Sequence, residues 1–149
     1  MRRKGYFNMP DVQQSKNIAT LQRPLCQLRV MDNGVVEFVM QESSRAAVDD
    51  LMSLMEELTR LPMMQQTPAT LLDSRVGIQP LNYIMSRMSQ FAKAHPSQQS
   101  GRLAMILPPN PLVSAINAMT RGLFPRIGVR IFTPNQYDEA IQWLTKNQL

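Results

Sequence analysis

The residues best placed to do chemistry are Asp73, Ser74 and Arg75, a carboxylate, a hydroxyl and a guanidinium in a row after the apolar stretch Ala69-Thr70-Leu71-Leu72. If that stretch is a strand, the triplet lies beyond its carboxyl end, where open α/β sheets hold their ligands. A helix start nearby would favour an anion. Ser74 would then be a regulated hydroxyl and Arg75 a phosphate clamp. The plainer reading carries more weight: the Ser74 hydroxyl is satisfied by its own loop and Arg75 is solvated. Asp73 is better explained by bonds to loop amides. Asn110 and Thr133 follow two further strand-like stretches and join the same loop set as ligand or partner candidates.

The remaining reactive residue types lack company. His95 is the single histidine and Cys26 the single cysteine, so no disulfide within the chain and no Cys/His metal spacing exists. His95 precedes Pro96 near the expected end of a helix, where an imidazolium is mildly favoured. Cys26 opens a strand and reads as a small, partly buried residue. There is no nucleophile–base motif and no phosphate-cradling glycine loop. No catalytic residue, metal or cofactor is expected, and the chain does not read as an enzyme. Arg121, Arg126 and Arg130 cluster around the last strand-like stretch. They would meet an acidic partner or phospholipid headgroups, or simply protect a sheet edge with charge, the reading with more weight.

The elements that must position these residues are read from hydrophobic period and punctuation. Cys26–Met31 and Val35–Met40 are strand-like and flank Asp32-Asn33-Gly34. Asn-Gly is the favoured pair for a two-residue hairpin. Ser43-Ser44 offers a cap to a helix carrying Val48, Leu51, Met52, Met55, Leu58 and Leu61. Asp49 and Asp50 near its first turn and Arg60 near its last would suit the dipole. Pro62 ends it, and Met63–Thr67 connects onward. Three strand–helix repeats follow. Residues 69–73 lead to a helix opened by Pro80, with Leu81, Ile84, Met85, Met88, Phe91 and Ala92 on one face. Residues 102–107 lead to a helix capped at Asn110-Pro111, carrying Val113, Ile116, Met119 and Leu123 and stopped by Gly122. Residues 128–132 lead through the capping box Thr133-Pro134-Asn135-Gln136 to a helix burying Tyr137, Ala140, Ile141 and Leu144, with Trp143 at its margin.

The order β-β-α-β-α-β-α-β-α implies an α/β fold with a mixed, mainly parallel sheet of about five strands and an N-terminal hairpin. The methionines Met52, Met55, Met85, Met88 and Met119 fall on helical apolar faces and read chiefly as core.

Several stretches of the second half resemble small bacterial STAS-like proteins of the SpoIIAA-like branch. They are Ala69-Thr70-Leu71-Leu72-Asp73, Arg102-Leu103-Ala104-Met105-Ile106, Phe124 ahead of Val129-Arg130-Ile131-Phe132, and Ala140-Ile141-Gln142-Trp143-Leu144. The resemblance spans residues 26–149 and implies a STAS-like fold. It also implies a cytoplasmic, non-enzymatic regulatory or protein-interaction module. Anti-sigma-factor antagonists of that kind carry a phosphorylatable serine in an Asp-Ser-Ser-Gly type loop. Here Asp73-Ser74-Arg75-Val76-Gly77 has the Asp-Ser pair, lacks the second serine and displaces the glycine. The Sec14-type relatives imply the alternative, binding of a lipid or small apolar ligand.

Charge position narrows the partners. Up to Val30 there are six basic residues and one acid, and from Met31 onward ten of each, so the net +5 lies wholly in the first segment. Residues 1–24 therefore read as a flexible basic arm and 25–149 as one domain. A folded basic face for nucleic acid is not expected, and membrane contact by the arm would be weak. No apolar run follows Met1-Arg2-Arg3-Lys4, so no secretory signal is read there. A protein partner or self-association as a homodimer is the expected mode of action, in a soluble cytoplasmic setting.

Overall fold

The computed structural model describes residues 22–61, 69–77, 80–96 and 101–146. Five strands, β1 (Cys26–Val30), β2 (Val36–Met40), β3 (Thr70–Asp73), β4 (Gly101–Ile106) and β5 (Ile127–Phe132), form one sheet in chain order. β1 is antiparallel to β2 and the other three pairings are parallel. The helices are α1 (Arg45–Leu58), α2 (Leu81–Ala94), α3 (Val113–Leu123) and α4 (Tyr137–Thr145). The fold is thus α/β with a mixed, mainly parallel sheet, as the pattern requires. Residues 1–21 of the expected arm and the connection at Met63–Thr67 lie outside the described residues.

Three successive crossovers step the same way across the sheet. Crossovers of one hand stepping in one direction deposit their helices on one face. α1, α2 and α3 accordingly share a core with the inward side chains of the strands, among them Leu51, Leu54, Leu58, Ile84, Phe91 and Ile116 against Val36, Phe38, Leu72 and Met105. α4 folds back over the opposite face, where Ala140 and Leu144 pack with Leu71, Ala104, Ile106 and Phe132. Strand side chains alternate between the two cores with period two.

The hairpin differs from the expected two-residue turn. Gly34 N–H donates to Met31 O and Met31 N–H to Val35 O, both at 2.9 Å, so Asp32, Asn33 and Gly34 form a three-residue loop. Gly34 has φ +90°, which suits glycine. The Asn33 side chain accepts from Val35 N–H at 3.0 Å, holding the loop open by the extra residue.

Capping explains the helix starts. Ser44 is the N-cap of α1, its hydroxyl accepting from Ala47 N–H at 3.1 Å. With that start, Asp49 and Asp50 fall past the first turn and Arg60 past the last, contrary to the dipole expectation. They serve as ties instead. Asp50 accepts from Leu25 N–H at 2.9 Å, and Asp49 pairs with Tyr83 and Arg87 of α2. α3 begins later than expected. Asn110 closes a turn ahead of the helix, its side-chain oxygen accepting from Leu112 N–H at 2.7 Å. The buried face becomes Ile116 and Thr120, and Met119 is left 39% exposed. Gly122 stays inside α3, which ends at Phe124, anchored in the core. The capping box at Thr133 is present, with Gln136 returning to Thr133 N–H at 2.9 Å.

Candidate functional site

The three-residue loop sets the hairpin register, and the register builds a site. Arg29 stands opposite Glu37, and Gln27 opposite Val39. Val39 in turn neighbours Asp73 across the parallel pairing. All five point away from the three-helix core. α4 packs on β3 and β4, and beside it this face opens into a groove of about 600 Å³. Gln22, Gln27, Arg29, Glu37, Asp73, Arg75 and Tyr137 line it, with Leu28 and Val39.

Its centre is Glu37, 1% exposed although charged. Tyr137, the first residue of α4, donates its hydroxyl proton to Glu37 Oε2 at 2.5 Å. Arg29 Nη2 lies 2.5 Å from Glu37 Oε1 and donates to the Tyr137 oxygen at 3.2 Å. The Arg29–Glu37 contact is an ion pair between an exposed guanidinium and a buried carboxylate. A buried carboxylate is tolerated only when its charge is answered locally, and here one guanidinium and one phenol answer it.

A second pair stands beside the first. Arg75 grips Asp73 through Nε at 3.0 Å and Nη2 at 2.9 Å, the two-pronged geometry that suits a guanidinium and a carboxylate. The Arg75 guanidinium lies 6.0 Å from the centre of the Tyr137 ring. Both arginines hold their protons more firmly than usual, Arg29 mainly through the charge of Glu37 and Arg75 mainly through its bonds to Asp73. Loss of hydration and the bond to Glu37 push the Tyr137 phenol up from 10.0 to about 12. The groove therefore presents two fixed cations and a phenol that keeps its proton, set against the acidic side chains of Glu37 and Asp73.

Of the residues singled out from sequence, Asp73 and Arg75 enter this groove. Asp73 also accepts from Arg75 N–H at 3.2 Å. Ser74 turns inward, 2% exposed, and donates its hydroxyl to Gly77 O. Its N–H donates to Ile106 O at 2.9 Å. Thr133 caps the turn that leads to Tyr137, and Asn110 holds the turn before α3; neither lines the groove. The sequence reading missed Gln27, Arg29, Glu37 and Tyr137. A signal existed: opposite charges at Arg29 and Glu37 sit equidistant from a loop centred on Asn33.

His95 and Cys26 take part in packing. His95 Nε2 lies 2.9 Å from Glu56, joining the end of α2 to α1, and its ring rests 4.6 Å from that of Phe91. Cys26 is fully buried. Burial, helped by Asp50, pushes its thiol from 9.0 to about 12. Among the described residues no group of three or more His, Cys, Asp or Glu side chains could hold a metal ion. No helix among them is long and apolar enough to cross a membrane.

These two raised groups carry an alkaline signature. Each binds its proton more tightly folded than unfolded. The stability they contribute is complete below the unfolded values of 9.0 and 10.0 and is lost as pH climbs towards about 12. Urea titrations at stepped pH are expected to show stability falling above pH 9, less steeply in Tyr137→Phe. Iodoacetamide should leave native Cys26 unmodified at pH 8 and label it in urea, since only the thiolate reacts.

The fold and the groove define an α/β domain with a charged, open site on one sheet face. No family model, curated protein or solved structure matches the chain.

Proposed function

We propose that this chain is a non-enzymatic regulatory or protein-interaction module of the STAS-like kind, working in the cytoplasm. In this reading its recognition site is the groove beside α4. The observation that carries it is the mutual pairing of Arg29, Glu37 and Tyr137 and of Arg75 and Asp73. Acid–base catalysis needs a group that exchanges its proton near the working pH. Tyr137 and the two arginines are shifted the other way, towards keeping theirs. Fixed donors and acceptors of known geometry serve recognition. The leading hairpin, the parallel strands in chain order and the amphipathic helices are compatible with STAS kinship. The charged lining suits polar groups of a protein surface better than an acyl chain, which needs an apolar chamber.

The test is affinity purification from the host with the full chain as bait, in three versions. Arg75 is exposed but answers the buried Asp73, so Arg75→Glu reverses the groove's charge, and a thermal melt of each version establishes that the bait stays folded. Lys93→Glu, on exposed α2 surface, is the control. A protein held by the wild type and Lys93→Glu, lost with Arg75→Glu, and cross-linked to Gln27 or Arg75 neighbours supports the reading. Equal retention by all three versions, or no specific protein at all, contradicts it.

A further inference from the structure

The two edges of the sheet are finished differently. In β1 the backbone of Leu28 faces outward, and the Gln22 side chain occupies it. The Gln22 amide accepts from Leu28 N–H at 2.9 Å and donates to Leu28 O at 2.6 Å, reproducing the two bonds that a neighbouring strand would make. This edge is blunted in the way open edges commonly are.

The β5 edge has no such plug among the described residues. Phe132 O accepts from Leu107 N–H, so Phe132 faces β4, and by alternation Val129 and Ile131 present their N–H and C=O outward, with Ile127 adding its C=O alone because its N–H is donated to Phe124 O at 3.1 Å. The one side-chain contact recorded there is a long one, Arg121 Nη2 to Val129 O at 3.5 Å. Along this edge runs a groove of about 480 Å³, floored by Phe124, Ile127 and Trp143. Arg121 and Arg130 line it, and Arg126 lies between Pro125 and Ile127, which also do. All three arginines are exposed. Among the described residues none of them pairs with a carboxylate, and no carboxylate lines the groove. This contrasts with the sheet-face groove, where each arginine has its acid.

We propose that β5 is a strand-addition site for an extended acidic peptide segment of a partner protein, independent of the groove beside α4. Main-chain bonds to Val129, Ile131 and the Ile127 carbonyl would give affinity, and the arginines would select acidic side chains flanking them. A second copy of this chain is the wrong occupant by charge, since two β5 edges would bring two sets of three arginines together. The first segment of this chain is wrong for the same reason, being itself basic.

The probe is an end-capped heptapeptide alternating glutamate and valine, read by fluorescence polarisation on the full chain. Its controls are the lysine–valine counterpart and the same acidic peptide N-methylated at alternate residues, which keeps the charge and cannot pair as a strand. The expected result is binding of the acidic peptide alone, with slowed amide hydrogen exchange at Ile127–Phe132. The triple variant Arg121→Glu/Arg126→Glu/Arg130→Glu, all surface positions, should weaken it by about tenfold or more, the scale on which a charged cleft concentrates its ligand. Arg75→Glu should bind as wild type, which separates this proposal from the preceding one. Binding of the N-methylated peptide, exchange protection elsewhere, or no binding at millimolar peptide overturns it. So does a β5-mediated dimer in sedimentation, which would make a second copy the occupant.

Discussion

Ser74→Asp is expected to lower folding stability by about 3 kcal/mol or more, the scale of an uncompensated charge in a protein interior. Ser74→Ala should cost about 1 kcal/mol, the net worth of one hydrogen bond. Ser74 is 2% exposed and gives its hydroxyl to Gly77 O. A carboxylate there has no proton to donate to that carbonyl and would sit next in chain to Asp73, itself 5% exposed. The Arg75 guanidinium is already engaged by Asp73. A phosphate would meet the same obstacles in larger form, so modification of this serine requires the loop to open first. Urea titration followed by Trp143 fluorescence measures both variants. A Ser74→Asp protein as stable as wild type would show that the loop opens readily and would return Ser74 to the list of regulated hydroxyls.

Arg29→Ala is expected to cost about 2 kcal/mol, somewhat under the figure for a fully interior pair because truncation lets water reach Glu37. The asymmetry of the pair is the reason. The Arg29 side chain is 62% exposed and loses little by standing alone, whereas that of Glu37 is 1% exposed and loses its cation. The reverse substitution, Glu37→Leu, should therefore be the milder one. In the Arg29→Ala background it should restore part of the loss. A double-mutant cycle checks this directly. Additive effects would mean that Glu37 is held by Tyr137 alone.

The register of the hairpin shows where sequence reading succeeds and where it stops. Alternation in Cys26–Val30 and Val36–Met40 and the turn signal at Asp32-Asn33-Gly34 locate both strands. The loop length decides what faces what. A two-residue Asn33-Gly34 turn would set Arg29 opposite Phe38, and the ion pair would never form. The actual three-residue loop sets Arg29 opposite Glu37. One residue of slip moves every side chain to the other face, so the site was hidden by a detail of turn chemistry.

Tyr137 was hidden differently. It lies on the apolar stripe of α4 and reads as core, and half of it is core. Its hydroxyl end belongs to the groove, because aromatic rings with a polar tip serve both environments. Asp73 and Arg75 were visible because strand ends in parallel sheets are marked by chain order alone. Their pairing with each other was not, since two residues apart in a turn they meet only once the backbone reverses. Met119 was misread because the buried stripe of its helix runs through Ile116 and Thr120, a threonine that turns inward with its hydroxyl donated to Ile116 O at 2.8 Å.

The spatial order of the strands repeats their chain order, and this bears on how the protein reaches its native state. No strand waits for a distant segment. β2 finds β1 across a hairpin, and each later strand docks beside the one made just before it. Folding rates rise as contacting residues lie closer along the chain. The sheet can therefore grow from its N-terminal hairpin in one direction, each crossover adding one helix to the same side. α4 is the exception, since its partners Leu71, Ala104 and Ile106 belong to strands already laid down. Its arrival carries Tyr137 to Glu37. A chain that stops short of α4 would keep the hairpin register that sets Arg29 opposite Glu37 and would lack the Tyr137 wall of the groove.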